Sequence, residues 1–249
     1  MRSPLAALLW AVCLLVGTGA ARADDGAHSF TPGQRAEIVE ILRQALKADP
    51  SILRDAVTAL QDDEASIKEA AAKVAIGKAG PALTNSSSDP VAGNPDGDVT
   101  VVEFYDLRCP YCRRMLPVVA DLLHSDPKVR LIYKDIPILG PDSVLGARAV
   151  LAAQRQGGYQ KLHDLIMAGP PSITPASLRA DATRAGLDWD RLQHDMADPE
   201  IEKRLSVNLE LAHMLGIEGT PAYVVGKKLM PGAVDLAELQ EAVAAARMR

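Results

Sequence analysis

Residues 103–117 read EFYDLRCPYCRRMLP. On the N-terminal side, VTVVEFYD (99–106) carries β-branched and aromatic residues at successive positions, the pattern of a strand buried on both faces. On the C-terminal side, Met115, Leu116, Val119, Leu122 and Leu123 recur at helical spacing, so the chain turns from strand to helix at Cys109. Pro117 lies inside that helix and predicts a kink. Cys109 and Cys112 therefore sit one turn apart at a helix N-terminus, where unpaired N–H groups and the helix dipole stabilise an anion. A thiolate in that position has a lowered pKa. Cys109 is the expected nucleophile. Cys112, deeper on the same face, is expected to attack a mixed disulfide formed at Cys109. Arg108, Arg113 and Arg114 read either as added positive potential or as a solvated basic helix start.

The N-terminal stretch MRSPLAALLWAVCLLVGTGAARADD sets the compartment. One early charge at Arg2, an apolar run from Leu5 to Val16 and the small residues around Ala21-Arg22-Ala23 form the layout of a secretory signal peptide, residues 1–23, cleaved after Ala23. The run is shorter than the roughly 20 residues of a spanning helix. Cys13 leaves with it, so the mature chain keeps only Cys109 and Cys112. A pair two residues apart closes too small a loop to staple a fold. In an exported protein, where disulfides persist, it reads as redox chemistry or metal binding.

The chain has 27 Lys+Arg and 32 Asp+Glu. Losing Arg2 and Arg22 leaves 25 − 32 = −7 for the mature chain, and no basic patch stands out, which argues against nucleic acid. His28, His124, His163, His194 and His213 show no close metal-ligand spacing, so no metal site and no cofactor are expected.

Residues 24–85 read as an N-terminal helical segment. Thr31-Pro32 is a helix start, and Ile38, Ile41, Leu42, Ala45 and Leu46 follow at helical spacing. Asp49-Pro50 repeats the start, with Ile52, Leu53, Ala56, Val57 and Leu60 behind it, and a third helix is expected around Glu64 to Lys78. The apolar stripe either docks on the main domain or binds its counterpart in another subunit, giving a homo-oligomer through residues 31–62. The polar stretch TNSSSDPVAGNPDGD (84–98) leads into the main domain, residues 86–249, with Asp96-Gly97 as its closing turn.

The run GNPDGDVTVVEFYDLRCPYCRRMLP (93–117) resembles the active-site region of the DsbA-like thiol-disulfide oxidoreductases of the thioredoxin superfamily. GTPAYVVG (219–226) resembles that superfamily's second landmark, a residue before a cis-proline followed by a strand. The resemblance covers about 89–249. It implies an α/β thioredoxin-like fold with a helical insertion at about 140–216, where LGARAVLAAQ, YQKLHDLIMA, PASLRADATRAG and PEIEKRLSVNLELAHMLG are helical in pattern. It also implies Cys109 and Cys112 as catalytic residues, Pro110 and Tyr111 completing the motif, and Thr220 with cis-Pro221 as the substrate-binding edge. Glu103 becomes the buried carboxylate that relays protons to Cys112, the other reading being a carboxylate in solvent. Asp106 is expected as a turn or cap residue.

AEIVEILRQALKADPSILRDAVTAL (36–60) resembles the N-terminal segment of the suppressor of copper sensitivity protein C (ScsC) type, some members of which oligomerise through it. CPYC in place of CPHC, and Thr before the proline, resemble isomerase-type members; the missing histidine removes one thiolate stabiliser and gives a less oxidising couple. The implied function is a periplasmic disulfide isomerase or reductase acting on cysteine-containing exported proteins and kept reduced by a membrane redox partner. A monomeric dithiol oxidase is the alternative. A copper-binding protein, with two soft thiolates on Cu(I), is the alternative of another class.

Overall fold

A computed structural model describes residues 30–84 and 88–248. The signal-peptide reading, Cys13 and His28 lie outside the described residues. The chain divides into two compact units between Leu60 and Gln61.

In the first unit, helix α1 (Pro32–Ala48) opens with a capping box: the Gln34 amide N–H donates to Thr31 Oγ1 at 3.3 Å, and the Thr31 N–H donates to Gln34 Oε1 at 2.8 Å. Asp49 closes α1, and its carboxylate accepts the Ser51 N–H at 3.0 Å as the next helix begins. No residue of α1 is buried.

Helix α2 runs without interruption from Ser51 to Ala79. This corrects the expectation of a separate third helix around Glu64 to Lys78. Gln61-Asp62-Asp63-Glu64 contains no Gly or Pro, so every residue in it keeps the N–H of a helical hydrogen bond and the helix runs through. The short helix α3 (Pro81–Thr84) follows.

The second unit is built on a five-stranded sheet in the order β1-β3-β2-β4-β5. These are β1 (Val91–Gly93), β2 (Val99–Tyr105), β3 (Val129–Asp135), β4 (Ala222–Val225) and β5 (Lys228–Pro231). The edge strand β1 lies within the stretch expected to be loop and pairs antiparallel with β3. At the Asp96-Gly97 turn the Gly97 N–H donates to the Asn94 carbonyl at 3.0 Å; a Cβ on Gly97 would come within 2.5 Å of the Lys128 carbonyl oxygen, which requires glycine there. β2 and β3 run parallel, and the intervening crossover is helix α4 (Pro110–Ser125), which continues through Pro117.

Between β3 and β4 stand five helices: α5 (Pro141–Gln154), α6 (Tyr159–Ala168), α7 (Pro175–Ala185), α8 (Trp189–Asp195) and α9 (Pro199–Met214). The final helix is α10 (Leu236–Arg247). These elements form an α/β thioredoxin-like fold with a helical insertion, preceded by an N-terminal helical segment.

Strand alternation separates two cores. Val99, Val101, Tyr105, Leu131, Tyr133, Tyr223 and Val225 face α4 to α6 and α10, together with both cysteines. Val102, Phe104, Ile132, Ala222 and Val224 face the opposite way, onto Ile76 and Ala79 of α2, Leu83 of α3 and Leu211, Ala212 and Leu215. On this second face Lys134 and Asp89 form a buried ion pair at 2.6 Å, and Lys134 Nζ also donates to the Ala82 carbonyl at 3.0 Å. Among the described residues, no helix is long and apolar enough to cross a membrane.

Candidate active site

Strand β2 delivers the chain to the site. It ends at Tyr105, and Asp106 then turns it into α4, with the Cys109 N–H donating to the Asp106 carbonyl at 3.0 Å. Cys109 is the N-cap of α4 in extended conformation, and Pro110 fills the first helical position, where a missing N–H costs nothing. The antiparallel register that sets Phe104 opposite Ala222 brings the start of β4 beside this turn. Thr220 and Pro221, joined by a cis peptide bond, thus stand against Cys109. Its protonated thiol donates to the Thr220 carbonyl oxygen at 3.2 Å.

Both cysteines are free thiols with different environments. Cys109, with 4% of its surface exposed, has its pKa lowered from 9.0 to about 5. The Cys112 thiol contributes most, by hydrogen bonding to the thiolate; the Thr220 side chain and the backbone N–H groups of Cys112 and Tyr111 add to it against the opposing effect of burial. Cys112 moves the other way, pushed up by burial and by its bond to Cys109. Tyr111, by contrast, is exposed, and the Arg114 guanidinium lies 4.4 Å from its ring centre.

Glu103 is buried on the α4 side of β2 rather than in solvent. The sheet register flanks it with Tyr133 on β3 and Tyr223 on β4, and the Tyr223 hydroxyl donates to Glu103 Oε1 at 2.9 Å. Burial raises its pKa from 4.5 to about 7, only partly offset by the Tyr223 hydrogen bond and the charge of His163. Glu103 and Cys112 line one cleft of about 270 Å³, with Leu116, Tyr133 and His163 among its other walls.

Some of the supporting residues were not legible as such. Asp106 is a turn residue, as expected, its carboxylate accepting the Arg108 N–H at 2.8 Å. It also accepts the N–H groups of Ile138 at 2.9 Å and Leu139 at 3.0 Å and the Ser143 hydroxyl at 2.8 Å, which ties the loop before α5 to the catalytic turn. Arg108 and Arg113 are engaged with backbone: Arg108 reaches the Leu139 and Pro171 carbonyls, and Arg113 reaches those of Leu107, Met167, Gly169 and Pro170. Neither is a freely solvated cation of the helix start. Only their runs of sequence-distant partners reveal these roles, and no local pattern encodes them. Among the described residues no group of three or more His, Cys, Asp or Glu side chains could hold a metal ion.

Together these groups can attack a disulfide with one sulfur, resolve the product with the other and exchange the proton with a nearby carboxyl. Comparison with known proteins supports disulfide exchange as the class of chemistry. Residues 100–244 match the DSBA-like thioredoxin domain, and residues 34–66 match the copper resistance protein ScsC N-terminal domain. A thioredoxin-like oxidoreductase from Silicibacter pomeroyi is 44% identical, with 68% of this chain and 98% of that one covered at a TM-score of 0.66. ScsC from Proteus mirabilis in a transitional conformation is 29% identical over 88% of this chain and 98% of its own, at a TM-score of 0.65. A sodium/proton antiporter of Salinispora tropica is 34% identical over 167 residues, 65% of this chain but 26% of the antiporter, so the chain spans about a quarter of that relative's length. The chain belongs to the DsbA-like thioredoxin domain family.

Proposed function

We propose that the chain is a periplasmic thiol-disulfide oxidoreductase that exchanges disulfides with cysteine-containing exported proteins. The observation that carries this reading is the opposite tuning of two thiols one helical turn apart, Cys109 downward and Cys112 upward. In this reading the Cys109 thiolate attacks a substrate disulfide, displaces one substrate thiolate and forms a mixed disulfide. Glu103 takes the Cys112 proton, the new thiolate attacks Cys109, and the second substrate thiol departs. The substrate lies along Thr220 and Pro221 as an added strand, next to Pro110 and Tyr111. Secretion with cleavage after Ala23 and reduction by a membrane redox partner complete the cycle.

The direction we propose is isomerisation or reduction by a homo-oligomer held through residues 31–62. Its support is the apolar stripe Ile38, Ile41, Leu42, Leu46, Ile52, Leu53, Val57 and Leu60, all exposed in the single chain. An assembly would remove this stripe from water at roughly 25 cal/mol per Å². The low pKa of Cys109 favours a second reading, dithiol oxidation, because a stabilised thiolate stabilises the reduced form and makes the couple more oxidising.

Alkylation at mildly acidic pH tests the roles: Cys109 labels first, and Cys112→Ser accumulates mixed disulfides. Labelling of Cys112 first overturns the assignment. The direction is tested by truncation through Leu60, a cut that spares Ile76, Ala79 and Leu83, which pack on the sheet. The mature chain is expected to have an oligomer's mass and to refold scrambled disulfides. The truncated chain is expected to be monomeric and to keep only dithiol oxidation. A monomeric mature chain leaves the oxidase reading.

A further inference from the structure

His163 has no part in the sulfur chemistry, yet it stands in the same cleft as Glu103 and Cys112. It sits on α6 with its ring buried among three tyrosines. The Tyr159 ring stacks with it at an interplanar angle of 13°, the Tyr105 ring centre is 5.1 Å away and the Tyr133 ring centre 4.9 Å. These contacts fix the ring plane. Nδ1 lies 2.8 Å from Asp164 Oδ1, and a carboxylate oxygen there accepts from Nδ1–H, which leaves Nε2 as the ring nitrogen outside that bond. Asp164 is partly exposed, with 46% of its side-chain surface accessible, and it lines the cleft as well. The cleft, at about 270 Å³, exceeds the roughly 30 Å³ share of a single water several times over.

Resting on the reading of Glu103 as the base for Cys112, we infer that the His163–Asp164 pair is the route by which this buried carboxyl–thiol pair exchanges its proton with solvent. The step balances within the mixed disulfide. The Cys112 S–H proton passes to the Glu103 carboxylate; the Cys112 sulfur bonds to the Cys109 sulfur; the bond from Cys109 to the substrate sulfur breaks, and its electron pair leaves with the substrate thiolate. Glu103 can take the Cys112 proton only once it has given up its own, and just 4% of its surface is exposed for that loss. His163 accepts the Glu103 proton across the cleft at Nε2 and passes it outward beside Asp164. The titratable and charged groups around the ring are Glu103 and Tyr105 on β2, Tyr133 and Asp135 on β3, Cys112 on α4, and Tyr159 and Asp164 on α6.

The test uses the mature chain carrying a mixed disulfide between Cys109 and glutathione, and follows glutathione release by Cys112 against pH in dilute buffer, with and without imidazole. His163→Gln is expected to slow release about ten-fold or more near neutral pH, and added imidazole is expected to restore it. Asp164→Asn, at a half-exposed position, is the variant that decides if His163→Gln does not fold, and the same slowing with the same rescue is expected. Unchanged rates in these variants, or slowing that imidazole does not relieve, overturn the His163 route. If Glu103→Gln slows release in that case, the proposed base stands without it. If Glu103→Gln releases glutathione at the parent rate, both the base and the route fall.

Discussion

Replacing Glu103 by Gln removes a charge that the fold holds at a cost. The side chain keeps its shape, and its amide oxygen still accepts the Tyr223 hydroxyl. In the native protein the Glu103 pKa is about 7, against an ordinary 4.5. A raised carboxyl binds its proton more tightly folded than unfolded, so its contribution to stability is fully present below pH 4.5 and is lost as pH rises through about 7. The difference from 4.5 to about 7 is roughly 2.5 pH units, and at about 1.36 kcal/mol for each the loss is about 3 kcal/mol. Cys109 works in the opposite direction: its depressed thiol stabilises the reduced fold above pH 9, and that stability is lost as pH falls through about 5. Urea denaturation of the reduced parent and of Glu103→Gln, compared pH by pH, cancels the Cys109 contribution. The variant is expected to gain on the parent progressively between pH 4.5 and pH 8, ending about 3 kcal/mol more stable relative to its position at acid pH. Parallel curves across that range would refute the raised pKa of Glu103 and, with it, the reason for assigning it the proton.

Titrating the thiolate ultraviolet absorbance of the reduced protein should give a first midpoint at about pH 5, lost in Cys109→Ser; a first midpoint near 9 contradicts the tuning at the helix start. Asp106→Ala leaves three N–H groups and one hydroxyl without their acceptor and is expected to cost roughly 3 kcal/mol in urea denaturation. A change within about 0.5 kcal/mol would mean that water replaces the carboxylate. Asp89→Asn strands the buried Lys134 ammonium and is expected to cost about 3 to 5 kcal/mol, whereas replacing both partners with apolar residues is expected to cost less. Equal losses would argue against a desolvated pair.

The strand and helix on either side of CPYC were legible because each carries its own periodicity, period two dissolving into a buried run in VTVVEFYD and period near 3.6 beyond Cys109. Glu103 is singled out by the family resemblance, which implies a buried acidic group beneath the cysteines; the structure groups it by strand parity with Val101 and Tyr105. Its partners were not legible. Tyr223 lies 120 positions away, and only the β2–β4 register brings it alongside. The edge strand β1 went unseen because Pro, Gly and Asn dominate its surroundings, and three residues are too few to show alternation. The continuity of α2 was missed because a run of charge looks like a linker, although only Gly, Pro or a competing side-chain hydrogen bond ends a helix. Asp106 and Arg113 act by holding backbone atoms of distant segments, and such contacts leave no trace in local pattern.

Asp106 holds Ile138 and Leu139 by their amides and leaves both side chains facing outward, exposed. The geometry beside the catalytic turn is therefore written in main chain, and the surface there is written in side chains that bear none of that geometry. Side chains at 138 and 139 can therefore change without disturbing the main-chain bonds that hold this loop to the turn at Cys109.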